Sequence, residues 1–172
     1  MYLKNVILLC LLGVSVMTVQ AKNIYGLYEQ VILPEMDNVK LKAKLDTGAL
    51  TSSLGATQIE FFKKGDNDWV RFKPQVKDMD LPVVEKEVVR HSKIKRRLAD
   101  IREDDHDITH RPVVMLDICF DNTIFSVEVN LTDRSAFNYP LLLGSSALRE
   151  FGAIVDPSLK FVSKAKCSPD TN

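Results

Sequence analysis

The sequence predicts an all-β domain with one short helix near its C-terminus, and three observations carry that prediction. Residues 39–45 alternate strictly, with Val39, Leu41, Ala43 and Leu45 apolar and Lys40, Lys42 and Lys44 charged, which is the period of a half-buried strand. Residues 113–120 and 123–131 form two apolar-rich arms around Asp121-Asn122, a dipeptide suited to a tight hairpin turn. The other apolar runs are short and bounded by turn-forming residues, except for one stretch at 145–151 that reads as a helix.

The first 21 residues stand apart from this domain. Lys4 precedes an apolar run from Val6 to Val19, and Val19-Gln20-Ala21 supplies the small or short apolar residues that a signal peptidase reads. At about 14 residues the run is shorter than the roughly 20 a membrane span needs. Residues 1–21 are therefore expected to be a secretory signal peptide, and residues 22–172 one exported, periplasmic domain with no stable membrane insertion. Cleavage removes one of 23 basic residues and none of the 23 acidic ones, so the formal charge moves from 0 to −1. Such a balance gives no electrostatic footprint for nucleic acid or an anionic membrane.

The elements follow in order. Residues 28–33 carry a β-branched strand stopped by Pro34, and residues 39–45 run directly into Asp46-Thr47-Gly48 and a small, polar segment ending at Ser53. Residues 59–62 and 69–72 flank a hairpin connection at 63–68. Residues 73–111 mix charges densely, include Lys93, Lys95, Arg96 and Arg97, and show only a modest strand signal at 85–90. They are expected to form a long, solvated, mobile segment of the kind that supplies a lid or flap. Residues 139–144 are a strand closed by Gly144. Ser145 or Ser146 is the expected cap of the helix, Gly152 its end, and residues 153–157 a last strand. With Cys10 in the signal, Cys119 and Cys167 remain, either as one disulfide between a strand and the tail or as a buried thiol beside an incidental one.

The segment best suited to chemistry is 44–53. An aspartate that ends an apolar strand has a defined place, the Thr47 hydroxyl can bond locally, and Gly48 can bring a backbone N–H close to a carboxylate. Such a carboxylate can stay ionised or share a proton with a second one. The competing reading is a capped turn in which Asp46 merely satisfies nearby amides.

A hydrophobic run, Asp46-Thr47-Gly48-Ala49, and a distant Leu141-Leu142-Leu143-Gly144 before a short helix resemble the single-lobed, retropepsin-like aspartic peptidases. The wider set, residues 43–54, 69–72, 111–114, 128–134, 139–144 and 155–157, resembles a narrower family of bacterial exported proteins often labelled ATP-dependent zinc proteases. The resemblance spans residues 25–162 and implies a closed barrel. It implies that Asp46 is the catalytic aspartate, that Thr47 braces it, that Gly48 gives the close backbone approach, and that Leu143-Gly144 packs beneath the loop. Ala49 and Thr51 would support the site or touch a peptide or protein substrate. Members of the narrower family usually carry arginine directly after this glycine, where this chain has Ser145.

Aspartic peptidases use two carboxylates about 3 Å apart that share one proton. One Asp-Thr-Gly in one lobe therefore calls for a homodimer that pairs two copies of Asp46. Failing that, the chain would be a non-catalytic module that binds a peptide or protein by strand pairing. Asp133 is the best substitute carboxylate within the chain, expected to have a lowered pKa through pairing with Arg134; the pair serves either the substrate or the loop's structure. Neither half of the family label finds a motif. There is no phosphate-binding Gly-x-x-x-x-Gly-Lys-Ser/Thr loop and no His-Glu-x-x-His. His106 and His110, four apart, are the nearest approach to a metal pair, in a stretch better read as solvated loop. No cofactor or metal is expected.

Overall fold

The computed structural model describes residues 22–95 and 108–167. In chain order these form β1 (Asn23–Leu33), β2 (Val39–Asp46), β3 (Ser52–Lys64), β4 (Asn67–Pro74), β5 (Val84–Glu87), β6 (Arg90–Lys95), β7 (Ile108–Phe120), β8 (Thr123–Thr132), β9 (Leu141–Gly144), α1 (Ser145–Glu150) and β10 (Ala153–Lys160). Six strands close a barrel in the order β1-β2-β9-β3-β8-β7, with β7 returning to β1. Strand β10 lies outside β1, β6 outside β7, and β4 with β5 extends from β3. This is the all-β domain with one short helix that the sequence predicts, closed into the single-lobed barrel that the resemblance implies.

Alternation decides which faces meet. Leu41, Ala43 and Leu45 of β2 are buried in the same core as Val31, Phe72, Leu116, Val129 and Leu143, whereas Lys40 and Lys42 are exposed. Strand β9 enters parallel to β2 and antiparallel to β3, so it lies between two strands that are consecutive in sequence. The link from β2 to β3 must therefore pass over the C-terminal end of β9. That crossing makes the candidate site.

Several elements differ from their expected limits. Strand β1 starts at Asn23, because its first residues pair parallel with β10, and Gly26 lets the Leu159–Lys160 backbone lie directly against it. The connection between β3 and β4 narrows to Gly65-Asp66, with Gly65 at φ 64° and Lys63 paired with Asp68 at 2.8 Å. Within 73–111, β5 and β6 are regular strands and Leu81 is buried, so the described part of that segment belongs to the sheets. The N-cap of α1 is Gly144, with no side-chain cap bond, so neither Ser145 nor Ser146 plays the expected part. The helix does end at Gly152, whose φ of 61° is the left-handed conformation that glycine tolerates. Residues 1–21, Arg96, Arg97 and His106 lie outside the described residues.

The barrel closes on a short seam, Val31 opposite Phe120 and Ile32 opposite Cys119. The C-terminal tail crosses it. Glu29 is fully buried on β1, and its carboxylate accepts hydrogen bonds from the amides of Gly26 (2.7 Å), Val162 (3.2 Å) and Ser163 (2.9 Å) and from the Ser163 hydroxyl (2.8 Å). The amides of Lys164 and Lys166 then donate to Asp121, and Cys167 forms a disulfide with Cys119. The tail thus ties β1 to the β7–β8 turn on both sides of the seam. Its link closes a loop of sequence separation 48. Losing such a constraint is worth about 4 kcal/mol by chain entropy. Cys167→Ser is expected to lower unfolding free energy by about 3–4 kcal/mol in urea titrations, and reduction of the wild type should reproduce the loss.

Candidate functional site

Asp46 is the last residue of β2, opposite Gly144 of β9 in the parallel register. It continues the outward-facing set of Lys40, Lys42 and Lys44. This period places its side chain beside Lys44 rather than inside the barrel. Oδ1 accepts the Gly48 amide at 3.1 Å, Oδ2 lies 3.3 Å from Lys44 Nζ, and the side chain keeps 28% of its exposure. The Ala49 amide donates to the Asp46 carbonyl at 3.3 Å and closes the turn. Thr47, Gly48 and Leu50 are exposed, while Ala49 and Thr51 are half-buried.

The loop hangs from its neighbours by backbone and buried polar groups. The amides of Ser145 and Ser146 donate to the carbonyls of Ala49 (2.7 Å) and Leu50 (3.1 Å), so loop oxygens do the work expected of a serine cap. Gly144 lies so close beneath that a Cβ there would meet Leu50 O and Thr51 C at 2.7 Å. The Gly144 amide donates to Ser52 Oγ at 3.1 Å. Leu143, fully buried, fills the space below. The far end of the loop is held by Asn130 of β8, which donates to the Ser52 carbonyl at 2.8 Å and accepts from Ser53 Oγ at 3.0 Å. Arg90 of β6 bonds Thr51 Oγ1 at 3.1 Å while paired with Glu128. The β6 strand of the expected flap therefore touches the loop, and a cavity of about 400 Å³ lies between Ala49–Thr51 and residues 90–93.

On the other side stands Arg134, only 7% exposed. Its Nε donates to the Tyr139 carbonyl at 3.2 Å, its backbone amide donates to Gln75 Oε1 at 2.9 Å, and its guanidinium carbon lies 4.5 Å from the Phe137 ring centre. Burial pushes the guanidinium below the usual arginine range, the charge of Arg111 adds to that, and the Asp46 carboxylate opposes both. Asp46 is thus within electrostatic reach of Arg134. Tyr28 stacks on Tyr139 with ring centres 4.5 Å apart, and these two tyrosines, with Lys44 and Arg134, line a cavity of about 210 Å³. A larger cavity of about 570 Å³ lies beyond Arg134, against Gln75 and Pro140, away from the Asp46 loop.

Asp133 does not pair with its neighbour. Its carboxylate accepts the Ser135 amide at 2.8 Å, and its pKa is held below the usual range by that bond, with Gln75 and the Ser135 side chain contributing. The direction matches the expectation and the cause does not: Arg134 turns to Tyr139 and Phe137, and Asp133 is exposed. His110 is exposed on β7 opposite Lys93, and its proposed partner His106 is outside the described residues. Among the described residues no cluster of three or more His, Cys, Asp or Glu is placed to hold a metal ion, and no helix is long and apolar enough to cross a membrane.

Sequence reasoning gave no role to Asn130 or Arg90, and none to Lys44 although it opens the 44–53 segment. Lys44 reads as one of three solvent-facing lysines, although its i, i+2 spacing to Asp46 on one strand face was a usable signal. Asn130 falls in the family-matching stretch 128–134 with no role assigned to it. Nothing local marks Arg90.

Comparison with known proteins gives a consistent picture. A family model described as "RimB-like: Retropepsin-like aspartic endopeptidase RimB" matches residues 24–166. A "Probable alpha-L-glutamate ligase" of Desulfotalea psychrophila is 27% identical over 148 residues, covering 81% of this chain and 29% of the relative. A protein of the same description from Shewanella halifaxensis is 31% identical over 140 residues, covering 81% and 30%. The chain thus spans less than a third of these curated relatives. The crystal structure of Lpg0085, a Legionella pneumophila protein described as of unknown function (DUF785), superposes with a TM-score of 0.68 at 37% identity, over 84% of this chain and all of that one.

The close approach at Gly144 makes a direct prediction. Gly144→Ala places a methyl against the backbone of Leu50 and Thr51, which cannot swing away as a flexible side chain would. The substitution is expected to cost about 2–3 kcal/mol in urea unfolding, in the range of overpacked cores.

Proposed function

Because the chain belongs to the RimB-like family of retropepsin-like aspartic endopeptidases, we propose that it is an exported endopeptidase whose active site pairs Asp46 from two copies. The observation that carries this reading is the Asp46 loop itself. Its carboxylate is partly exposed, oriented by the Gly48 amide, and set on a backbone fixed from below by β9 and α1. Asp133 spends its carboxylate on Ser135, which leaves a second copy of Asp46 as the partner that the chemistry requires. One Asp46 would take a proton from water while the other, protonated, polarises the scissile carbonyl. The tetrahedral intermediate then collapses as a proton passes to the departing amine. Thr47 and Gly48 shape the turn, Ala49 and Thr51 flank it, and the chemistry asks for no cofactor.

Charge supports acidic peptides as the substrate class. Lys44 and the buried Arg134 put two cations on one side of Asp46, and the curated relatives carrying a similar region are described as glutamate ligases. The Cys119–Cys167 disulfide supports an oxidising, extracytoplasmic location and hence the signal-peptide reading of residues 1–21. The Lys44–Asp46 ion pair favours a second reading, a peptide-binding module whose carboxylate is occupied and does not react.

Residues 22–172, assayed with a mixed peptide library across roughly pH 3 to 8, are expected to show cleavage that Asp46→Asn abolishes and a chelator does not. Equal cleavage by both proteins would remove Asp46 from the mechanism, and peptide binding without cleavage would favour the module. Arg134→Met is expected to lower cleavage of acidic peptides about tenfold relative to neutral ones, the loss of one charge-assisted contact. An unchanged ratio would free the acidic preference from Arg134.

A further inference from the structure

A buried amide lies beneath the loop. Asn130 is 2% exposed, and both ends of its side chain are spent on the chain segment that leaves the Asp46 loop. Nδ2 donates to the Ser52 carbonyl at 2.8 Å, and Oδ1 accepts from Ser53 Oγ at 3.0 Å, with Arg111 Nη1 at 3.5 Å on the same oxygen. Ser52 and Ser53 are themselves 1% and 4% exposed. Ser52 passes the connection on, since its hydroxyl accepts the Gly144 amide. The chain of bonds therefore runs from β8 through the first residue of β3 to the last residue of β9, with the loop above it.

We propose that Asn130 is the positioning residue that sets the height and tilt of the Asp46 loop, acting through Ser52. The inference rests on the aspartic-peptidase reading only for its effect on rate. Its geometric content concerns the loop alone. A primary amide is the neutral group that can donate to a carbonyl and accept from a hydroxyl in one plane. An aspartate of the same shape keeps the acceptor for Ser53 but turns a second oxygen toward the Ser52 carbonyl, replacing attraction with repulsion. The parallel β3–β8 register, with Ser53 opposite Asn130, fixes where the amide sits. Strands β3 and β8 are therefore the frame, and the amide converts that frame into a position for residues 49–52. A partly satisfied buried network is costly, and the loop joined to it through Ser52 is where a changed side chain would be felt.

The amides of Gly144, Ser145 and Ser146 report on this arrangement, because each donates into Ser52, Ala49 or Leu50. In hydrogen exchange of the oxidised domain, Asn130→Asp is expected to speed exchange at these three amides at least tenfold, while amides of the β1–β2 pair stay within twofold of wild type. Ser53→Ala, which leaves the bond to the Ser52 carbonyl in place, should speed them less than threefold. In the peptide assay, Asn130→Asp should lower kcat at least tenfold with KM within threefold, and Ser53→Ala should retain most of kcat. Unchanged exchange at 144–146 in Asn130→Asp overturns the proposal, as does equal acceleration in the β1–β2 pair, which would make Asn130 a general stabiliser. Cleavage insensitive to Asp46→Asn, or absent from the wild type, would sink the peptidase reading, and the exchange result would still decide the role of Asn130.

Discussion

The candidate site depends on one topological fact, the insertion of β9 between β2 and β3. Two strands that follow one another in sequence would ordinarily be joined by a tight hairpin. Here a third strand occupies the space between them, and the connection has to arch over its end. An arch of backbone has carbonyls and amides that need partners, and two of its carbonyls take the amides of Ser145 and Ser146 at the start of α1, while the Gly144 amide goes to the Ser52 hydroxyl. The helix N-terminus, which would otherwise need a side-chain cap, and the loop, which would otherwise need solvent, satisfy each other. The exchange works only if the two backbones touch, which is why position 144 has no room for a side chain.

The same economy governs the opposite end of the barrel. The β1–β7 seam is short, and a closed barrel with a weak joint opens there first. A fully buried carboxylate with no ion pair among the described residues is an unusual device for strengthening a joint. Glu29 is tolerable because four donors surround it, and three of those come from the tail residues Val162 and Ser163. The tail cannot leave without stranding the charge, and the disulfide limits how far it could go. The carboxylate and the covalent link thus act on one segment for one purpose.

How much of this was legible depends on whether the information is local. The alternation of residues 39–45 and the Asp121-Asn122 turn fixed β2 and the β7–β8 hairpin, because burial on one face and a left-handed turn both leave marks within a few residues. Asp46 was marked locally as the end of an apolar strand, whereas its catalytic role and the place of Gly144 beneath it came from the resemblance to the retropepsin-like family. The helix cap was misassigned because serine is the usual local solution, and the true partners, Ala49 O and Leu50 O, lie almost a hundred residues away. Asn130 and Arg90 were invisible as site residues because their roles exist only after β8 and β6 are brought beside the loop. The lowered pKa of Asp133 was anticipated from the adjacent arginine, yet the carboxylate turned to a backbone amide two residues on, a turn motif that competes well against an exposed ion pair.

Charge around Asp46 gives the strongest argument about what a second copy would change. In one copy the carboxylate has Lys44 at ion-pair distance and Arg134 within electrostatic reach. Two carboxylates brought together repel unless they share a proton or gain cations. A pair of these loops would bring two Lys44 and two Arg134 side chains with the two aspartates, so the frame around the dyad would carry more positive than negative charge. That surplus would leave cationic side chains on either flank of the scissile bond. An extended peptide with acidic side chains on both sides of that bond would complete the balance, in a way that a neutral peptide would not. The cations that make Asp46 look like a satisfied surface residue in one copy are, in the pair, what would select the substrate.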